Sequence, residues 1–247
     1  MLLIASGHSL VAAGGGDYML RVQNDLNNQE SLQRGAKYFV NYCLGCHSAK
    51  YVRYSRVGED LDISEDELVN NLMFNANKPF ETMLSSMQPE DAQRWFGATP
   101  PDLSLISRSR NPDWLFTYLK SFYQDDSRPL GSNNKLLPGA SMPNVFWDLQ
   151  GEQTPIYKEV VVESVDEEGN TVTRKLKKFS HFAQVTEGSL SPEAFDGVVR
   201  DTVNFLDYIG EPVKMKRKKM GVWVIFYLII LFGFAYFLKK EIWKDVH

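Results

Sequence analysis

Residues 221–238 form a run of eighteen without one charged side chain. As a helix at ~1.5 Å per residue the run is ~27 Å long, close to the hydrocarbon thickness of a bilayer. It is apolar on all faces, so it has no polar stripe to turn toward water. Trp223, Tyr236 and Trp243 stand where interfacial aromatics belong, and lysines bracket the run on both sides. A buried core helix would share the apolar composition, but the flanking lysines favour one transmembrane helix near the C-terminus. The rest of the chain then has to fold as a body of its own.

That body is large enough for one globular domain with a real core: the chain has 247 residues, 43% of them apolar. The net charge of −4 argues against nucleic acid as a partner and leaves a basic protein as the more natural one. Charge is unevenly spread, because Lys214, Lys216, Arg217, Lys218 and Lys219 cluster just ahead of the apolar run. The expected division is an N-terminal arm or signal remnant over residues 1–30, a folded domain over 31–210, a basic juxtamembrane linker over 211–220, the span over 221–238 and a short tail over 239–247. Residues 1–16 are apolar and rich in small side chains, like the end of a secretory signal peptide, although no positive segment precedes them and His8 interrupts them.

Helices dominate the domain. Leu32, Ala36, Phe39 and Val40 mark one over residues 31–42, with Ser31 as its N-cap. Ser64-Glu65-Asp66-Glu67 is a capping box ahead of Leu68, Leu72 and Met73. A third helix starts at Asn111-Pro112-Asp113 and buries Leu115, Tyr118, Leu119 and Phe122. It has no clear stop signal, and an irregular Gly/Pro/Asn-rich loop follows over residues 128–144. Residues 160–165 and 171–176 flank an acidic Gly-Asn turn and read as a β-hairpin. The fourth helix covers residues 192–209, with Ser191 as cap, Pro192 at its first position, Gly210 and Pro212 as stops, and Phe195, Val198, Val199 and Leu206 as its apolar stripe. No internal repeat or low-complexity segment interrupts this order.

The chain has two cysteines, and both lie in Cys43-Leu44-Gly45-Cys46-His47. C-x-x-C-H is the attachment signature of a c-type haem. Each thiol adds to a vinyl group, so both must project toward one porphyrin edge, and the following histidine is then held under the iron. One helical turn meets both demands. A structural zinc site needs four ligands, which here would require recruiting the distant His8, His181 or His247. A thioredoxin-like pair would want a βαβ setting, whereas a helix precedes this motif. The expected cofactor is therefore one covalently bound haem c, held by Cys43, Cys46 and His47.

The second axial position decides what such a haem does. Electron carriers commonly close it with methionine, whereas an enzyme that activates oxygen or peroxide leaves it open. Met73 and Met83 sit in helix-like apolar contexts and read as core; Met19 is a further candidate. Met87 precedes Gln88-Pro89 and is the second choice. Met142 lies in Pro138-Gly139-Ala140-Ser141-Met142-Pro143, where two prolines stiffen an irregular backbone. Spacing alone leaves Met142 open between ligand and core filler.

At this level of detail the sequence resembles the cytochrome c1 family, the haem subunits of cytochrome bc1 complexes. The resemblance covers residues 31 to 244. It rests on Cys43-Leu44-Gly45-Cys46-His47-Ser48-Ala49-Lys50-Tyr51, on Pro100-Pro101-Asp102-Leu103-Ser104, on Arg108-Ser109-Arg110, on the Met142 hexapeptide and on the single C-terminal span. The likeness is to bacterial members, the terminal Trp243-Lys244-Asp245-Val246-His247 included. It implies His47 and Met142 as axial ligands, Arg110 near a haem propionate, and residues 100–103 (Pro101 among them) with Trp114 as pocket wall. The acidic insertion that some members carry after the haem motif is mostly missing. Glu59, Asp60, Asp62, Glu65, Asp66 and Glu67 are a candidate replacement for docking the acceptor, or else an ordinary solvated face.

The expectation is a mostly α-helical, cytochrome c-like haem domain with a small β-hairpin excursion and one C-terminal transmembrane helix. The resemblance implies single-electron transfer from a Rieske iron–sulfur protein to a cytochrome c, beside a cytochrome b subunit, within a quinol–cytochrome c reductase of a respiratory chain. Such a subunit needs no catalytic acid, base or nucleophile of its own. Positive-inside counting would leave the haem domain in the cytoplasm, but large domains translocate largely regardless of charge. The resemblance implies a bacterial inner-membrane protein with its haem domain in the periplasm and its C-terminus in the cytoplasm. One rival is a c-type cytochrome subunit of another oxidase or reductase, which an N-terminal anchor would mark. The other is a haem enzyme or gas sensor with an open iron, which requires that Met142 not be a ligand.

Overall fold

The computed structural model describes residues 18–165 and 171–244. The signal-like residues 1–16, the turn of the expected hairpin (166–170) and the last three residues of the tail lie outside them. The elements in chain order are α1 (Gln29–Tyr38), a single π-helical turn (Phe39–Cys43), β1 (Ala49–Arg53), α2 (Tyr54–Leu61), α3 (Glu65–Asn71), β2 (Thr82–Met83), α4 (Pro89–Phe96), α5 (Ile106–Ser109), α6 (Pro112–Lys120), β3 (Phe122–Gln124), β4 (Ser132–Asn134), α7 (Trp147–Gln150), β5 (Gln153–Val165), β6 (Thr171–Gln184), α8 (Pro192–Gly210) and α9 (Lys214–Ile242). The strands form three separate antiparallel pairs, β1–β2, β3–β4 and β5–β6. The fold is thus mostly helical, with one long ribbon.

The core is built on α8. The expected stripe of Phe195, Val198, Val199 and Leu206 is buried, but from Asp201 to Gly210 every residue of α8 is buried, polar ones included. The reason is that α1, α5 and α6 all pack on this one helix. Against α1 the approach is so close that a Cβ on Gly35 would lie 2.1 Å from the Asp201 carbonyl oxygen and 2.7 Å from Phe205 Cβ. Phe39 and Phe205 continue the contact, ring centroids 5.5 Å apart. A polar clamp closes it. Ser31 Oγ donates to Asp201 Oδ1 at 2.6 Å, Arg34 Nε donates to Asp201 Oδ2 at 2.6 Å, and Asn204 Nδ2 donates to Ser31 Oγ at 2.9 Å.

Ser31 therefore is not the cap that the sequence suggests. Asn28 caps α1, its Oδ1 accepting from the Ser31 N–H at 3.0 Å, and Ser31 faces the core. The capping box of α3 forms as expected, with Ser64 and Glu67 each accepting from the other's backbone N–H. Leu68, Leu72 and Met73 are all buried, though the helix ends at Asn71. Met83 is core too, but on β2 and not on a helix. The hairpin runs well beyond its expected ends, pairing Gln153 with Gln184 at its base and Val160 with Leu176 midway. The loop expected over residues 128–144 contains the short strand β4, paired with β3.

The C-terminal helix also starts earlier than the apolar run. α9 begins at Lys214, so most of the expected linker is helical and only residues 211–213 separate it from α8. Lys214 Nζ donates to both carboxylate oxygens of the buried Asp207, at 3.0 and 2.9 Å. Glu211 accepts from Arg217 Nε at 2.6 Å and from Arg108 Nη1 at 3.0 Å. These partners, Arg217 above all, hold the Glu211 carboxyl below its usual range. The apolar part of α9 has a mean hydropathy of 2.3, and none of it is covered by the other described residues. It is long and apolar enough to cross a membrane.

The α1–α8 contact predicts its own test. Gly35→Ala forces a methyl group into backbone, an overpacking that should cost about 1–3 kcal/mol. Thermal unfolding of the variant should show a clearly lowered midpoint, whereas Gly45→Ala, where the added Cβ meets nothing within 4 Å, should unfold close to the parent.

Candidate haem site

α1 delivers the cysteine motif. The helix widens by one residue at its end, the Leu44 N–H donating to the Phe39 carbonyl at 2.9 Å, and the next turn closes with Cys46 N and His47 N both donating to Cys43 O, at 3.1 and 2.8 Å. Cys43 is buried and Cys46 half-buried, and the two are free thiols. Burial, with Cys46 as a smaller contributor, pushes the Cys43 thiol up to about 12; burial also raises Cys46. Both shifts disfavour the thiolate, whereas a redox C-x-x-C motif lowers the pKa of its nucleophilic cysteine. A neutral thioether suits such an apolar site better than a thiolate would.

His47 is aimed by a backbone group. Its Nδ1 lies 2.7 Å from the Pro101 carbonyl oxygen. A carbonyl can only accept, so Nδ1 carries the proton and Nε2 is left as a free lone pair. Burial lowers the His47 pKa, opposed by the Pro101 hydrogen bond and by Asp102, and this favours the neutral imidazole that binds a metal. The acceptor is itself fixed. Leu103 N donates to Ser48 O at 2.8 Å, Lys50 N to Asp102 Oδ2 at 2.9 Å and Tyr51 N to Ser104 Oγ at 3.1 Å. Ser85 ties a second segment to the motif, its Oγ donating to Gly45 O and its N–H to Ser48 Oγ, both at 2.8 Å.

Of the expected wall residues, Trp114 sits on α6, and residues 100–103 lie in the segment between α4 and α5. Trp114 stacks on Tyr118 at 5.0 Å with rings 9° from parallel, and Tyr118 meets the edge of Phe122. The Arg110 guanidinium lies over the Trp114 ring, 4.9 Å from its centroid. It makes no ion pair among the described residues, whereas Arg34, Arg56, Arg94, Arg108 and Arg217 each have a carboxylate. An exposed cation stacked on an aromatic wall and left without an anion fits a carboxylate supplied by a bound group.

Among the methionines, Met142 is half-buried and packs against the same apolar cluster as Cys43 and Leu44, as do Trp114 and Leu103. Met73 and Met83 are buried in that cluster, and the Met19 sulfur accepts from Thr117 Oγ1 at 3.4 Å. Among the described residues no group of three or more His, Cys, Asp or Glu could hold a metal ion; His8 and His247 lie outside them. These features fit a covalently held porphyrin. Two thiols sit one turn apart, one neutral imidazole offers its Nε2, one unpaired arginine stands over the wall, and the thioether lies in a loop packed on the same core.

Asp102, Ser104 and Ser48 enter the sequence reading only as parts of the motifs and the wall, without the positioning role they have here, and Ser85 was missed. Pro100 and Pro101 gave a signal, since two consecutive prolines fix φ at both residues and stiffen the segment. The acidic run is partly engaged. Asp60 pairs with Arg56 and accepts from the Tyr208 hydroxyl, Asp62 is the left-handed cap of α2 at φ 53°, and Glu67 is in the capping box. Glu59, Glu65 and Asp66 remain exposed.

Residues 24–246 match the profile of the Cytochrome C1 family. The chain belongs to that family. It is 49% identical over 245 residues to the cytochrome c1 of Allochromatium vinosum, covering 99% of this chain and 96% of the relative. It is 40% identical over 223 residues to a Nitrosomonas europaea protein named ammonia monooxygenase gamma subunit, covering 90% and 86%. It is 25% identical over 241 residues to the cytochrome c1 of Rhodospirillum rubrum, covering 89% and 83%. The chain is therefore a c-type cytochrome of the bc1 type, and its cofactor is the family's covalently bound haem c, for which Cys43 and Cys46 supply the attachment spacing.

Cys43→Ser and Cys46→Ser should each leave little covalently bound haem, because each removes one of two thioethers. Haem staining after denaturing electrophoresis reads this directly, and full staining of both variants would contradict covalent attachment at these residues.

Proposed function

We propose that this cytochrome passes single electrons from a Rieske iron–sulfur protein to a cytochrome c, with the haem domain on the periplasmic side of a bacterial inner membrane. The observation that carries the reading is the His47 Nδ1 hydrogen bond to Pro101, which leaves the Nε2 lone pair to hold the iron. Met142 would hold it as well. An iron held by two side chains serves as an electron carrier rather than an oxygen-activating site. The bound haem supplies a one-electron couple at its iron. The chain's residues hold that couple in place: Cys43 and Cys46 attach it, Arg110 neutralises a propionate, and Pro101 and Trp114 form the wall that keeps water away. Exclusion of water and a thioether ligand both favour the reduced state and so raise the potential.

Cytochrome b and the iron–sulfur protein are the partners that family membership implies, and α9 is the element that would pack against a multi-span subunit. Its small residues Gly221, Gly233 and Ala235 permit close helix approach. A lone span cannot enclose a quinone pocket, so the purified chain in detergent should be reduced by a quinol far more slowly than the same haem in intact membranes. Adding the complex that holds the iron–sulfur protein should restore the rate. Rapid reduction of the isolated chain would contradict the assignment.

Met142→Leu keeps the side-chain volume and removes the sulfur, so stability should change by less than about 1.5 kcal/mol. The haem potential should fall markedly and the reduced protein should bind carbon monoxide. A variant that keeps its potential and still excludes carbon monoxide would move the assignment to Met87.

A further inference from the structure

We propose that the adjacent asparagines Asn133 and Asn134 are positioning residues that hold the Met142 loop in fixed register with α6, so that the thioether keeps its place in both oxidation states. The inference rests on the reading of Met142 as an axial ligand.

Residues 135–146 contain no helix or strand, and the main chain gives them few bonds, among them Lys135 N to Ser121 O at 2.9 Å and Ala140 N to Leu137 O at 3.2 Å. Side chains supply most of the rest. Asn134 is fully buried, and both ends of its amide are used. Nδ2 donates to the Tyr118 carbonyl at 2.8 Å, and Oδ1 accepts from Ser121 Oγ at 3.1 Å, Leu136 N at 2.9 Å and Leu137 N at 3.0 Å. One side chain thus joins the C-terminal end of α6 to the start of the loop. Asn133 continues the work. Its Oδ1 accepts from Asn134 N and from Gly139 N, both at 2.8 Å, and its Nδ2 donates to Asp125 Oδ2 at 2.8 Å. Gly139 has φ +80°, a left-handed turn that redirects the chain three residues before Met142. Its carbonyl is held as well, by Arg128 Nη2 at 3.0 Å. Beyond Met142, Asn144 Nδ2 donates to Gln150 Oε1 at 3.0 Å and Asn144 Oδ1 accepts from Phe146 N at 3.1 Å.

The loop is therefore pinned on both sides of Met142, and on the upstream side the pins lead to α6. That helix also carries Trp114, the wall under Arg110. The wall and the methionine share one rigid element, and Asn134 is the joint between them. A thioether is a weak ligand. Freed by an unpinned loop it can leave the iron, and a site whose support is loose by an ångström loses the geometry its function needs.

The test uses the full-length holoprotein in detergent and three variants: Asn133→Ala, Met142→Leu and Asn24→Ala. Asn24 donates to Asp207 Oδ2 at 2.9 Å and belongs to no part of the site, so it controls for general loss of stability. Three readouts are taken on each: the weak long-wavelength absorption band of a methionine-ligated ferric haem, carbon monoxide binding to the reduced protein, and the midpoint of thermal unfolding. Asn133→Ala should lose part of the band and bind carbon monoxide on a matching fraction of its haem, while Asn24→Ala keeps the full band and binds none even where its midpoint falls as far. An Asn133→Ala protein with the full band and no carbon monoxide binding overturns the inference alone. A Met142→Leu protein that keeps the band overturns the ligand assignment and this inference with it. If Asn133→Ala yields no folded holoprotein, Arg128→Leu releases the same turn at its carbonyl and is read in the same way.

Discussion

The close approach of α1 to α8 at Gly35 is the contact on which the remaining architecture rests. α1 ends in the turn that carries Cys43, so the position of the haem attachment is set by where α1 lies on α8. A hydrogen atom at residue 35 lets the two backbones meet, and Phe39 and Phe205 extend the contact toward the cysteines. The same helix carries α6 on another face, and with it Trp114. The cysteine motif and Trp114 are thus referred to one common element. Burying Asp201 to do this is tolerable because Ser31 and Arg34 both donate to it.

Around that frame the site is assembled by side chains bonding to backbone. Pro101 O orients His47, Asp102 and Ser104 fix the segment that contains Pro101, and Ser85 links the motif to the strand-to-helix connection after β2. Short polar residues dominate these roles because the loops concerned have little helix or strand to hold them. The consequence is a site with rigid loops in a mostly helical protein, which suits a centre that must change charge without changing shape.

Much of this was legible in the sequence where signals are local. The capping box at Ser64, the Asn111-Pro112 start of α6, the Ser191-Pro192 start of α8, and the C-x-x-C-H motif all depend on residues within five positions of one another, and all form. Signals that depend on partners far along the chain were not legible. Ser31 looks like a cap by spacing, yet Asn28 takes that role because Asp201, 170 residues away, claims the serine. α2 was not foreseen, since Gly58 weakens its helical pattern and its packing comes from α1, β1 and α3. Arg110 gave no signal in itself. Its stacking on Trp114 and its missing counter-charge are facts of three dimensions.

The three residues between α8 and α9 carry one further consequence. A connector this short has no coil ensemble to explore, and the Asp207–Lys214 and Arg108–Glu211–Arg217 ion pairs fasten it on both sides. The anchor acts as a bracket rather than a leash. The folded body is then joined to α9 at a fastened corner, with little slack between the last helix of the domain and the helix that follows it.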